Sequence, residues 1–552
     1  MSAPDHSSKA PPAAALLVAA GLAVASAAWL LPVNLKSLSP TLLKIGGLGT
    51  PTLARFGLQL VDSEKMGPAS LVLAAARQEG DPGAPALAAA LGRLSSRQPG
   101  LTAWGGWDPS LDPVFNLRSA PGRTGSTPVL TFFIPAKARE SLRLALADSG
   151  SLGVQDLLRI RGLGATGRFV PADRPGGQPL DALILLAAEL YQGEHFSPEL
   201  QRQVRGLAET AAASREIGDL EPFFFDLLAL GRRLDWTQLG ELLRRTDNTQ
   251  TVAEFAHLAR VAPDQLAVIY SAALFTDSAD RVASYVIRYG RQGVDDLGLA
   301  LADGQGAADQ LMLRQVPVNR SSGPALGAAG GLVLAHPRLM LGLKYLGCLA
   351  GVFLILMGLD RWIVSPSLSG PAGALQPRLR AGVLATLLAA LLVVATEPFL
   401  LKAAPPSEFQ LHLRLPVLLA TSSLPPSHPS QTTHTMDPTT LVSIGLFALL
   451  QVAMYLICLR KIAEIHRQNV PAPLKLRLME NEENLFDSGL YVGMMGTAAA
   501  LVLQVLGVIP PNLLAAYSSN LFGIVCVALV KIRHVRGFRR QLILEIQGAP
   551  AS

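Results

Sequence analysis

The chain has 552 residues, half of them hydrophobic and 16% charged, with a formal net charge of +6, and its length accommodates two or three domains. Much of the positive excess sits on two short flanks of apolar segments, Arg460 to Arg477 and Lys531 to Arg540, so membrane topology accounts for it better than a nucleic-acid partner does. All three cysteines, Cys348, Cys458 and Cys526, lie within apolar windows, which leaves no disulfide framework, and no Cys/His grouping has the spacing of a metal site.

A membrane-crossing helix needs about 20 mostly apolar residues. Six windows qualify: Ala13 to Leu31, Leu339 to Gly358, Ala381 to Leu401, Thr440 to Leu459, Gly489 to Ile509 and Asn512 to Val530. In the first window Ala25-Ser26-Ala27 has the small-residue pattern of a signal-peptidase site. The apolar run continues through Trp29, Leu30 and Leu31, longer than the usual signal h-region, which favours a retained signal anchor over residues 1–33.

Residues 34–337 contain no stretch able to cross a bilayer and form one large domain. Its part from Gly100 to Lys137 is rich in Gly, Pro and Trp, and the run Pro128 to Ile134 has strand character, which predicts a small β element. Gly162-Leu-Gly164-Ala-Thr-Gly167 has the letters of a dinucleotide fingerprint, but helical sequence precedes it and Pro-rich sequence follows, so it reads as a loop. No Ser/His/Asp or Cys/His signature appears, and no residue is nominated as catalytic or cofactor-binding.

From Asp181 to Gln315 the periodicity is helical. Leu266, Ile269, Tyr270, Ala273 and Leu274 mark one buried face and Val282, Tyr285, Val286 and Tyr289 another. Breaks fall at Ala262-Pro263-Asp264, Thr276-Asp277-Ser278 and Gly290 to Gly293, and Thr251 with Glu254 has capping-box spacing. Helices of about three turns result, stacked as in an α-solenoid or packed irregularly, since no repeat consensus is visible.

Residues 338–403 form a transmembrane hairpin. Lys344 is expected to snorkel from its outer edge, and Glu397, the only acid inside a window, to reach water near the outer end of its helix. Residues 404–439 are an external loop. Phe409, Leu411, Leu413 and Leu415 alternate as in a strand, and the Ser/Thr/Pro-rich remainder with His428 and His434 reads as a linker.

Residues 440–552 form a three-span domain. Gly489, Gly493, Gly496 and Ala500 make a ridge of small residues on one helix, and Ala515, Ser519, Gly523 and Cys526 do so on the next, with Pro510 and Pro511 turning between them. Thr497, Ser518 and Ser519 add hydroxyls that can face a polar seam or bond back to their own helix. Beyond the last window an amphipathic tail sets Ile532, Val535, Phe538 and Leu542 opposite its basic residues, as for a helix resting on anionic lipid.

Flanks rich in Lys and Arg stay in the cytoplasm. Lys531, Arg533, Arg536, Arg539 and Arg540 place the C-terminus inside, six crossings place the N-terminus inside, and residues 34–337 then lie outside the cytoplasm of a bacterial-type inner membrane. The expected fold is mainly α: a polytopic six-span membrane protein with a large extracytoplasmic helical domain and a minor β element.

Gly493-Met-Met-Gly496-Thr497, opening an inside-to-outside helix, resembles the G-x-x-G-T motif of the MotA/TolQ/ExbB proton-channel family. The resemblance covers only the chain from Thr440 onward. It departs from the family at Ala500, where a glycine is usual, and in the shortness of the Arg460 to Ser488 connection. It implies a pore-lining Thr497, with Ser518 or Ser519 supplying the last helix's hydroxyl, a ring of identical subunits, and a single-span partner carrying the essential aspartate. Two functions are therefore expected: a membrane assembly protein whose external domain binds a partner, or the ring subunit of an ion-motive complex.

Overall fold

The computed structural model describes residues 12–119, 125–320, 327–363, 438–505 and 513–548, together with residue 409 and parts of 381–397. These fall into two compact units, one formed by residues 37–335 with 404–418 and the other by the rest of the chain.

In the first unit every regular element among the described residues is helical. Among the described residues the β pairing is two isolated bridges, Leu38 with Val318 and Ala165 with Glu216. Starts are set by side-chain caps: Thr52 accepts from Arg55 N, Ser197 from Leu200 N ahead of Pro198, and Ser278 from Arg281 N. Each satisfies one of the backbone donors that a helix leaves free at its start.

The helix Gln178–Gln192 is enclosed on all sides, with Leu180 through Tyr191 buried, as its apolar sequence requires. The helix Leu266–Phe275 packs against Ala279–Asp303 and also against Leu53–Asp62 and Met66–Gln78, about 200 positions earlier. A solenoid repeat touches only its neighbours, so this unit is a globular helical domain and the solenoid alternative is set aside.

The expected strand over Pro128 to Ile134 is instead a single helical turn, Leu130–Phe133. Leu130 and Phe133, three apart, are the buried pair, and Phe133 stacks on Trp236 with centroids 6.0 Å apart while Phe132 stacks on Trp104 at 4.0 Å. A short apolar run carries no period that separates the two states, and this one has an aromatic cluster to bury and, among the described residues, no strand to pair with.

The capping box expected at Thr251 and Glu254 lies elsewhere. Asn248 caps the helix Thr249–Val261, and Thr251 is its third residue, donating to Asp280 Oδ1. The glycine motif at 162–167 is a loop after a short 3-10 turn. The break expected near Gly290 is a sharp turn inside Ala279–Asp303, where Gly290 takes φ 59° and ψ −138°.

In the second unit, Pro337–Leu359 is long and apolar enough by length and composition to cross a bilayer, the one such helix among the described residues, and Ala13–Trp29 is a shorter apolar helix. The two pack along small residues. A Cβ added to Gly21 would lie 2.7 Å from Gly351 O, and one on Gly351 2.7 Å from Ala25 Cβ, so the backbones touch in the manner of small-residue helix pairs. Helices Pro438–Arg467, Ser488–Val505 and Leu513–Ala528 form a second group, continued by a π-helical turn Leu529–Val535 and the helix Arg536–Gly548.

The tail's apolar face is partly covered by protein. Val535 and Leu542 are buried, and Arg536–Gly548 packs against Ala472–Asn481, so that face does not simply rest on lipid. The alternation from Leu411 to Leu415, His428 and His434, and the Pro510-Pro511 turn lie outside the described residues, as does much of Ala381 to Leu401. Phe409 is described and is buried in the first unit's core.

Candidate functional site: the polar seam of the C-terminal helices

The small residues of Ser488–Val505 and Leu513–Ala528 bring the two backbones into contact. A Cβ on Gly493 would meet Ser519 O at 2.9 Å, one on Gly523 would meet Gly489 O at 2.6 Å, and one on Gly489 would meet Cys526 Sγ at 3.1 Å. A Cβ on Gly496 would fall on Ser519 Oγ. Any larger side chain at these positions would separate the helices.

The hydroxyls converge on one acceptor. Thr497, half-buried, donates to Gly493 O of its own helix at 3.1 Å, and Ser519, 1% exposed, donates to the same oxygen from the facing helix at 3.2 Å. Ser518 is half-buried beside it in sequence. In an apolar setting a hydroxyl without an acceptor is costly, and sharing the Gly493 carbonyl supplies one to each helix.

A third helix joins the seam. Gln451 donates through Nε2 to Gly489 O at 3.0 Å, while its Oε1 is buried without a partner, as is Asn520 Oδ1. Nearer the tail, Tyr455 Oη is 2.9 Å from His534 Nε2, and Lys531 pairs with Asp487 at 2.7 Å.

Glu397 belongs to a different cluster. Oε1 accepts from Leu35 N and from Tyr345 Oη, each at 2.8 Å, and Oε2 has no partner. The carboxylate is 1% exposed, so it does not reach water as expected. Lys344 is buried rather than snorkelling, its ammonium held by Val33 O at 2.5 Å and Asn34 Oδ1 at 2.9 Å. Both groups found backbone and side-chain partners within the protein, which removes the need to extend to the bilayer surface.

In residues 37–335 the structure assembles an acid–histidine network that sequence reading missed. His195 Nε2 is 2.7 Å from Asp108 Oδ2, and Ser110 donates to Asp108 Oδ1 at 2.6 Å. Gly193 and Gly240 make room for the imidazole, since a Cβ on either would come within 2.8 Å of the ring. Burial would raise the Asp108 carboxyl, but the hydrogen bond and charge of His195, with Ser110 and Trp236, outweigh it and hold Asp108 well below the usual carboxylate range.

Glu189, 2% exposed, is pushed up to about 7 by burial, with the Asp108 charge adding to the effect. Asp235, fully buried, is likewise raised to about 7 by burial, although Ser126 Oγ, Thr237 Oγ1 and Gln238 N all donate to it. Gln238 Oε1 accepts in turn from Asp235 N at 3.0 Å, completing a capping box at the start of Trp236–Leu243. Burial thus favours the protonated forms of Glu189 and Asp235, whereas the surroundings of Asp108 favour its charged one. Ser110 donates to the acid and not to the histidine, so the three do not form a nucleophile relay. The spacing Asp235-x-x-Gln238 was the legible signal. His195 had none, because its partner is 87 positions away.

No protein family, no curated protein and no solved structure matches this chain.

Proposed function

We propose that the protein is an integral membrane assembly protein, with residues 34–337 forming an extracytoplasmic helical interaction domain and the remaining helices crossing a bacterial-type cytoplasmic membrane six times. The observation that carries this reading is the seam itself. Its small residues and the hydroxyls of Thr497 and Ser519 are engaged by the chain's own helices and by Gly493 O, which is what close helix packing needs. The basic tail and the parity of the crossings support cytoplasmic termini.

A second reading, a ring subunit of an ion-motive complex resembling the MotA/TolQ/ExbB family, is favoured by the buried unpartnered Gln451 Oε1 and Asn520 Oδ1, since lone polar atoms among apolar helices are expensive and often mark ion routes. Complementation of a knockout strain separates the two. Under the first reading, deletion of residues 34–337 abolishes rescue and Thr497→Val, which keeps shape and deletes the hydroxyl, leaves it intact. Loss of rescue in Thr497→Val, together with loss of proton flux in proteoliposomes, would replace the first reading with the second.

A further inference from the structure

Along the tail helix, a cavity of about 570 Å³ is lined by Lys531, Arg536, Arg539 and Arg540 and, one turn further on, by Ile543 and Leu544, with Glu483 the one acid at its edge. Arg536, Arg539 and Arg540 stand at i, i+3 and i+4, which places them on one helical face. Lys531 is neutralised by Asp487 at 2.7 Å, with Glu483 3.8 Å away. Among the described residues the three guanidinium groups form no ion pair, and Arg539 Nε is buried without an acceptor.

Glu483 and Asp487 are engaged with Lys531, so the three arginine charges repel each other unless a further anion lies among them. Arginine presents a planar fork of donors that matches the oxygens of a phosphate two at a time. Beside this cationic wall Ile543 and Leu544 remain 44% and 59% exposed, an apolar surface that a free inorganic anion would leave in water. A ligand that satisfies both surfaces carries a phosphate and a hydrocarbon chain.

We propose that this cavity binds the phosphate of an anionic glycerophospholipid, whose acyl chain lies over Ile543 and Leu544. The inference deepens the tail's expected attraction to anionic lipid into a site of defined residues. It requires only that the tail lie at a membrane surface, and it holds under either reading of the function.

The test uses the full-length protein in detergent micelles doped with equal amounts of dioleoylphosphatidylglycerol and dioleoylphosphatidylcholine, with retained lipids counted by native mass spectrometry. The wild type is expected to retain phosphatidylglycerol preferentially. The triple variant Arg536→Gln, Arg539→Gln, Arg540→Gln is expected to lose that preference by roughly tenfold or more, because each basic side chain near an anionic lipid surface adds to the attraction. A control removing three exposed arginines elsewhere, Arg460→Gln, Arg467→Gln, Arg477→Gln, is expected to keep it.

Equal retention of the two lipids by the wild type overturns the site whether or not any variant folds. An equal loss in the control assigns the effect to net charge and also overturns it. Leu544→Ser should weaken dioleoylphosphatidylglycerol more than its dihexanoyl form. Displacement of the dioleoyl lipid by millimolar inorganic phosphate, with no effect of Leu544→Ser, would make this a site for free phosphate instead of lipid.

Discussion

At Asp235 a carboxyl group is enclosed where its charge is hard to sustain, and it is held by three donors that a neutral carboxyl can also use in part. Asp235 and Glu189 both have folded-state values near 7, above the ~4 of an unfolded carboxyl. Between those values the folded chain binds more protons than the unfolded one, so stability falls as pH rises from about 4 to 8 and levels off above. For Asp235 alone the change across that window is up to ~4 kcal/mol. Thermal unfolding of the full-length protein in neutral detergent should therefore show a lower midpoint at pH 8 than at pH 5, and Asp235→Asn should make the slope shallower. An unchanged slope would mean that Asp235 is ionised in the fold. This residue was within reach of sequence reading through its D-x-x-Q spacing, whereas Asp108 and His195 were not, because nothing local links positions 87 apart. Glu397 shows the same limit: an acid in an apolar window was visible, but its hydrogen bonds to Leu35 N and Tyr345 Oη come from distant parts of the chain.

Within helices, period and capping decide most outcomes and fail where a segment is short. The face marked by Val282, Tyr285 and Val286 is buried at the expected spacing, because the 3.6-residue repeat is a property of the backbone, whereas Val268 through Phe275 are buried on every side and show no single face. The turn from Leu130 to Phe133 is the opposite case, since burial against Trp104 and Trp236 chose its conformation. Gly290 tests how far one residue governs an element. Its φ and ψ lie in a region essentially closed to residues with a Cβ, and the helix is kinked there. Gly290→Ala is expected to destabilise the first unit by ~1–3 kcal/mol. Hydrogen exchange should accelerate first in Val294 to Asp303. Unaltered protection in that segment would show that the turn tolerates a side chain.

For the molecule as a whole the testable quantity is the side of the membrane on which each part lies. Ala213→Cys and Gln547→Cys both introduce exposed thiols, against a background of three buried cysteines. A membrane-impermeant maleimide is expected to label the first in intact spheroplasts and the second only after lysis, and the reverse pattern would invert the proposed topology. The amino-acid sequence alone determined the helical character of the chain, the positions of most helix breaks, the apolar windows and the charge asymmetry of their flanks. These follow from local backbone geometry and from the cost of placing charge in hydrocarbon, and neither depends on distant residues. The tertiary structure decided that residues 37–335 close on themselves rather than stack, that Lys344 and Glu397 are buried with partners, and that Thr497 and Ser519 share Gly493 O. It also decided that three tail arginines face one cavity. Each of these outcomes depends on which distant groups come within bonding distance, and that is settled only when the helices pack.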